Sequence, residues 1–362
     1  MTFQFNFWTT TVGSFPHKDS VELSRRLVQM LDVPDWPQLT RTGFRENMYV
    51  QFSDSLPAIV VNEDEEKIFF DTTTDLTSAL ETFYAPYLDS DLDYFGLRPE
   101  HATGFFSLLK ELRDERASES DLDSSAPTAW VKGQVTGPIS LGLTVCDQDR
   151  RAGLYDEFLA DAIVKNSAMN ARWQIRKLKA ARPYVILSVD EPYMASFGSA
   201  YINLDREQVI SMLDEVFVAI HEEGALASVH CCANTDWSVL LGTHVDILNL
   251  DAYGYLENLA LYPVELRDFL DRGGAFAWGI VPNTEEIWEV TPRTLAQKLL
   301  GGFESISRKA AGRGVMIDPQ EFNDRSLLTT SCGLGPASIE IADRALDFLP
   351  QMKDILQNTF AS

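Results

Sequence analysis

From Ala129 onward the chain repeats one pattern, a short and almost wholly apolar run followed by a longer amphipathic stretch. AWVKGQVTGPIS (129–140) reads as a buried strand ending in a Gly-Pro turn. A helix is expected at about 154–181, with Leu154, Phe158, Ala162, Val164 and Ala168 on one stripe. YVILSVDEP (184–192), ALASVHCC (225–232), VDILNLDAY (245–253), AFAWGIVP (275–282) and SLLTTSCGLG (326–335) read as further strands. Helical periodicity fills 205–224, 264–274, 291–310 and about 338–349, with Pro292 near one helix start and glycines closing two others. Strands that are apolar on both faces need cover on both faces, which means an α/β protein with a parallel sheet. The number of units favours a (β/α)8 TIM barrel over an open doubly wound sheet. No glycine-rich dinucleotide fingerprint follows the first strand, which argues against a nucleotide-binding alternative.

The first half is less regular. TTTVGSFP (9–16) looks like the first barrel strand, and the second is not assignable. AIVVNEDEEKIFFD (58–71) resembles a hairpin with an acidic turn, so 34–128 is read as an insertion within a single domain spanning 1–362. ASESDLDSSAPT (117–128) is expected to be an exposed loop. The start, MTFQFNFWTT, has no basic segment, and no apolar run approaches the roughly 18 residues that span a bilayer. A soluble, cytoplasmic protein is expected. The formal charge of −24 argues against nucleic acid or an anionic membrane as partner, since both need basic patches.

In a barrel of this kind, chemistry gathers at the C-terminal strand ends. Here those ends carry Asp190 and Glu191 (SVDEP), His230, Cys231 and Cys232 (VHCC), Asp251 (NLD) and Cys332 (TTSCGLG). His230 and Cys232 are two apart and share a strand face, so Cys231 points the other way. Two thiolates and an imidazole are a common zinc donor set. Three protein ligands with an exchangeable fourth position is the catalytic pattern. Cysteine is also among the most buried residue types, so the residues alone leave open a packing role. His17, His101, His221 and His244 have no comparable company; His221 sits near a helix end, and Cys146 reads as a small hydrophobe. The two acids before Pro192 are either a solvated strand end or a binding site for an amine.

These motifs resemble the C-terminal, catalytic barrel of cobalamin-independent methionine synthase, especially the core type that consists of that barrel alone. The wider superfamily includes uroporphyrinogen decarboxylase. TTTVGSFP is similar to the family's glycine-serine strand, which implies that Ser14 contacts homocysteine. GFRENMYVQF is similar to a segment carrying a substrate-binding glutamate, matching Glu46, and VTGPIS to the family's threonine-glycine-proline turn. SVDEP resembles the motif whose aspartate binds the substrate amino group, implying Asp190 with Glu191 beside it. VHCC and SCGLG imply His230, Cys232 and Cys332 as zinc ligands, and Asp251 stands where the family has a ligand glutamate.

The resemblance implies a zinc-dependent methyltransferase that makes methionine from homocysteine. The implied donor is methylcobalamin or a methylated corrinoid protein rather than methyltetrahydrofolate, because the half that holds the folate tail in the long enzymes has no counterpart here. Two alternatives stay open. One is a zinc methyltransferase for another thiol, of the coenzyme M kind, with no use for an amine-binding Asp190. The other is a non-catalytic protein that binds zinc and a corrinoid protein. A decarboxylase of the uroporphyrinogen type would need arginines for many carboxylates, where this chain has VGSFPHKD.

Overall fold

A computed structural model describes residues 4–114, 123–199 and 202–360. Its strands are β1 (Trp8–Thr9), β2 (Ser14–Phe15), β3 (Gln38–Leu39), β4 (Ile59–Asn62), β5 (Lys67–Phe70), β6 (Trp130–Thr136), β7 (Tyr184–Asp190), β8 (Leu226–Cys231), β9 (Ile247–Leu250), β10 (Ala275–Val281) and β11 (Ser326–Thr330). Seven of them form one parallel sheet in the order β1-β11-β10-β9-β8-β7-β6. The intervening helices include Glu157–Lys179, Arg206–Glu222 and Pro292–Ala311. This is the TIM-barrel-like α/β fold that the apolar alternation predicts.

The sheet curls until its edges, β1 and β6, face each other across a gap. Val33–Trp36 fills it. Val33 N–H donates to Thr9 O at 3.0 Å, Lys132 N–H donates to Pro34 O at 2.9 Å, and Asp35 pairs in parallel with Lys132. This is the barrel wall's second segment, which the sequence conceals. Pro34 lies within it and Pro37 follows it, and neither has an N–H to give, so no regular ladder or strand pattern develops. Residues 34–39 therefore belong to the wall and its rim rather than to the excursion that follows.

The expected first strand at 9–16 is divided. Trp8–Thr9 pairs with β11, whereas Ser14–Phe15 pairs with Gln38–Leu39 above the wall. Gly13 makes the break. Its φ of +134° is one that L side chains rarely adopt, and a Cβ there would lie 2.7 Å from Gln134 Nε2.

The excursion includes the expected hairpin, β4–β5, paired antiparallel from Ile59–Phe70 to Asn62–Lys67. The helices Leu76–Leu88 and Thr103–Asp114 follow, the second packing on Ser20–Met30. Of the 117–128 stretch expected to be a loop, 117–122 lie outside the described residues. Two helical expectations change. Phe158 is exposed, 54% accessible, because it sits in the first turn of its helix. The last helix does not stop before Pro350 but runs Ile339–Phe360, with Leu346, Leu349, Met352 and Leu356 buried on both sides of the proline. No helix among the described residues is long and apolar enough to cross a membrane.

The interior is layered. At the N-terminal end, Phe5, Trp8, Trp130, Ile186, Ile247 and Leu327 plug the barrel. Deeper inside, the Lys132 ammonium donates to Val12 O at 3.0 Å and lies 3.6 Å from Asp35. Thr11 Oγ1 donates to both Asp35 oxygens at 2.7 and 2.8 Å. Burial pushes the Asp35 carboxyl above its ordinary value, and Lys132 and Thr11 oppose that shift. Towards the C-terminal end come Asp190 and His230, paired in register on β7 and β8.

Breaking a buried ion pair from one side leaves an unmatched charge, at a cost of about 3–5 kcal/mol. Asp35→Ala is expected to lose about that much in urea denaturation, with Lys132→Met/Asp35→Leu markedly less destabilised than the single variant.

Candidate metal centre and its pocket

Strand ends far apart in sequence meet at one rim because the parallel ladders align them. β7 and β8 pair through Val189–Val229 and Asp190–His230, and β8 and β9 through His230–Asn249. β11 ends at Thr330, and the turn after it carries Cys332. The ligand atoms of His230, Cys232 and Cys332 all lie within 4.8 Å of one another.

They border a cavity of about 750 Å³ that Ser14, Glu46 and Asp190 also line. Its outer wall is largely apolar, with Phe44, Met48, Tyr49, Pro192 and Pro336. Glu66, from the turn of the β4–β5 hairpin, reaches the same cavity.

The donor set fits zinc. His230 is 3% accessible, and its Nδ1–H donates to Asn249 Oδ1 at 3.0 Å. Its Nε2 is buried with no hydrogen-bond partner among the described residues, which is costly unless something occupies it. The Cys332 thiol donates to Cys232, and His230 adds a second favourable interaction, so Cys232 is held well below the ordinary thiol value. Cys332 is pushed up by the same bond and by burial. Burial opposes charge on His230, but Cys232 and Asp190 outweigh it and hold the imidazole above its usual value. One thiolate is thus already favoured, and a dication would make the second.

Cys231 faces the other way. It is fully buried, its thiol donates to Ala233 O at 3.4 Å, and burial pushes it up to about 12.

The loop bearing Cys332 is fastened on both sides. Ser331 Oγ donates to Asn283 Oδ1 at 3.0 Å, and Asn283 Nδ2 donates to Gly333 O at 3.0 Å. Ser14 holds the loop from below, accepting from Leu334 N–H through its carbonyl at 2.8 Å and from Gly335 N–H through Oγ at 3.3 Å. A Cβ on Gly333 would come within 2.1 Å of Ser14 Oγ, so that contact requires glycine.

The expected acids divide. Asp190 lines the cavity. Its Oδ1 accepts from Ser188 Oγ at 2.8 Å, and burial raises its carboxyl while His230 and Lys132 pull it back. Glu191 is not brought to the cavity. One residue along a strand reverses direction, and its carboxylate instead caps the helix Pro138–Thr144, accepting from Ile139 N–H at 2.9 Å and from Ser140 N–H and Oγ at 2.7 and 2.6 Å. Burial pushes it up to about 7 despite those donors.

Glu46 borders the cavity, but its oxygens already accept from Thr103 N–H and Oγ1, Leu39 N–H and Gln51 Nε2. Asp251 is not part of the His-Cys-Cys group. It caps the short helix Ala252–Tyr255, accepting from Gly254 N–H at 2.8 Å, and its arm is one methylene shorter than glutamate's.

Asn249 and Asn283 escape the sequence reading because an isolated asparagine carries no spacing signal. For Asn249 there is one faint clue, a polar residue on the inward face of an otherwise apolar strand.

Zinc assays on purified variants should separate the neighbours. Cys231→Ser and Asp251→Asn are expected to retain stoichiometric zinc, whereas Cys232→Ser is expected to lose it.

No family model and no curated protein matches the sequence. Among solved structures, the B12-independent methionine synthase from Shewanella sp. W3-18-1, in complex with selenomethionine, aligns over 98% of this chain and 98% of its own, with a TM-score of 0.52 and 18% identity. The endo-1,4-β-mannanase from Rhizomucor miehei aligns over 96% and 95% at a TM-score of 0.28 and 9% identity, too distant to inform the site. At such identity the likeness to the methionine synthase is one of fold.

Proposed function

We propose that this chain is a zinc-dependent S-methyltransferase that methylates homocysteine to methionine. The observation that carries the proposal is the convergence of His230, Cys232 and Cys332 beside Asp190 in one cavity. The fold-level neighbour is a B12-independent methionine synthase, which agrees with methyl transfer to homocysteine.

When bound by these three residues, zinc would keep a substrate thiol deprotonated at neutral pH and so nucleophilic. The chain's own residues do the rest. Asp190 receives the substrate ammonium, with Ser188 Oγ holding one of its oxygens in place. Glu46 adds charge to that end of the cavity rather than a hydrogen bond, its acceptor sites being taken. Ser14 and the Gly333–Gly335 turn close the floor. Holding the amino end fixes where the sulfur lies, which makes methyl transfer effectively intramolecular. The new carbon–sulfur bond forms as the donor's bond to its methyl group breaks.

The methyl donor in this reading is methylcobalamin or a methylated corrinoid protein, acting as co-substrate rather than resident cofactor. The net charge of −24 and the acids Glu46, Glu66 and Asp190 around the cavity disfavour the polyanionic tail of a folate.

The test is methionine formation by the zinc-loaded protein from homocysteine, with methylcobalamin and methyltetrahydrofolate side by side. Turnover with methylcobalamin is expected. No methionine from either donor would sink the proposal. Loss of a charged hydrogen bond costs about 1.5–3 kcal/mol, so Asp190→Asn is expected to raise KM for homocysteine about tenfold to a hundredfold. An unchanged KM would point to a thiol without an amino group.

A further inference from the structure

Asn249 lies on the inward face of β9, directly across the ladder from His230 and 1% accessible. Its neighbours along the strand, Leu248 and Leu250, are buried apolar residues of the outer core. An amide at this inward place is costly to bury unless its polar atoms are used. Its Oδ1 is 3.0 Å from His230 Nδ1.

That contact decides the chemistry of the imidazole. An amide oxygen only accepts, so in the neutral ring that can ligate a metal the proton sits on Nδ1. The lone pair is then left on the buried Nε2, beside the Cys232 and Cys332 sulfurs. With the proton on Nε2 instead, the ring would offer the thiols a donor and could not ligate through that atom. The same bond restricts rotation of the ring about its Cβ–Cγ axis.

We propose that Asn249 is a positioning residue for the metal centre: it fixes the tautomer and orientation of His230 so that Nε2 is presented as a ligand. The inference rests on the zinc reading and adds to it a residue that touches neither metal nor substrate. A partner of this kind typically contributes about 10–100-fold to metal affinity. Its requirement is specific. What matters is an acceptor facing Nδ1, not the volume of the side chain.

Zinc affinity, measured by competition with a chromogenic chelator, tests this without reference to turnover. Asn249→Leu, which keeps the volume and removes the acceptor, is expected to weaken zinc binding about 10–100-fold. Asn249→Asp, which keeps an acceptor of the same shape, is expected to stay within about threefold of wild type. Asn249→Ala repeats the deletion with a smaller side chain and carries the test if the leucine variant does not fold, as judged by the melting of the metal-free proteins. Wild-type affinity in a folded Asn249→Leu or Asn249→Ala protein would overturn the inference while leaving the zinc centre standing. Equal loss in Asn249→Asp would overturn it too, since the defect would then follow any change at this position. Failure of the wild-type protein to take up zinc would remove the centre itself, and the inference with it.

Discussion

Closure of the wall by Val33–Trp36 is the contact on which the remaining architecture depends. A parallel sheet left open between β1 and β6 would have two unpaired edges, and nothing would join them into a wall. Two backbone hydrogen bonds, to Thr9 and from Lys132, join the edges. The same segment supplies Asp35, whose carboxylate meets the ammonium of Lys132 inside the barrel. The seam is thus made twice, once by peptide groups and once by a charge pair. Lys132 extends the join upward by binding the Val12 carbonyl, one residue below the Gly13 break that turns Ser14 toward the rim.

The rim inherits its order from that wall. Alternation along β7 puts Asp190 into the cavity and Glu191 into the end of a helix, so two adjacent acids serve ligand space and scaffold separately. Alternation along β8 does the same for His230 and Cys231. Loops then add what strands cannot. The turn after β11 brings Cys332 back over the barrel, bracketed by Asn283 and seated on Ser14. Asn249 beside His230 and Asn283 with Ser14 around the Cys332 turn hold this rim in place.

Much of this was legible in the residues. Every strand from β6 onward announces itself as an apolar run, and period-two reasoning separates Cys231 from Cys232 correctly. The same reasoning, applied to SVDEP, would have turned Glu191 away from Asp190; treating the acids as a pair obscured it. The second wall segment was hidden because prolines interrupt it, so only the Val33 N–H and the Pro34 carbonyl make the joining bonds and no strand pattern appears. Asp251 stands outside the group formed by His230, Cys232 and Cys332. A strand-end acid followed by a short helix serves as an N-cap, and Gly254 N–H donates to one of its oxygens. The last helix continues through Pro350, beyond the expected end near 349, since apolar packing on both sides of it outweighs one lost backbone bond.

The outward orientation of Cys231 has a consequence for reactivity. Two adjacent cysteines differ by a wide margin in acidity, one thiol at about 12 and the other favoured as thiolate. Electrophiles attack the thiolate, and they must first reach it. An alkylating reagent entering the cavity meets Cys232 and finds Cys231 sealed behind the sheet, so the peptide that carries both would bear a single adduct.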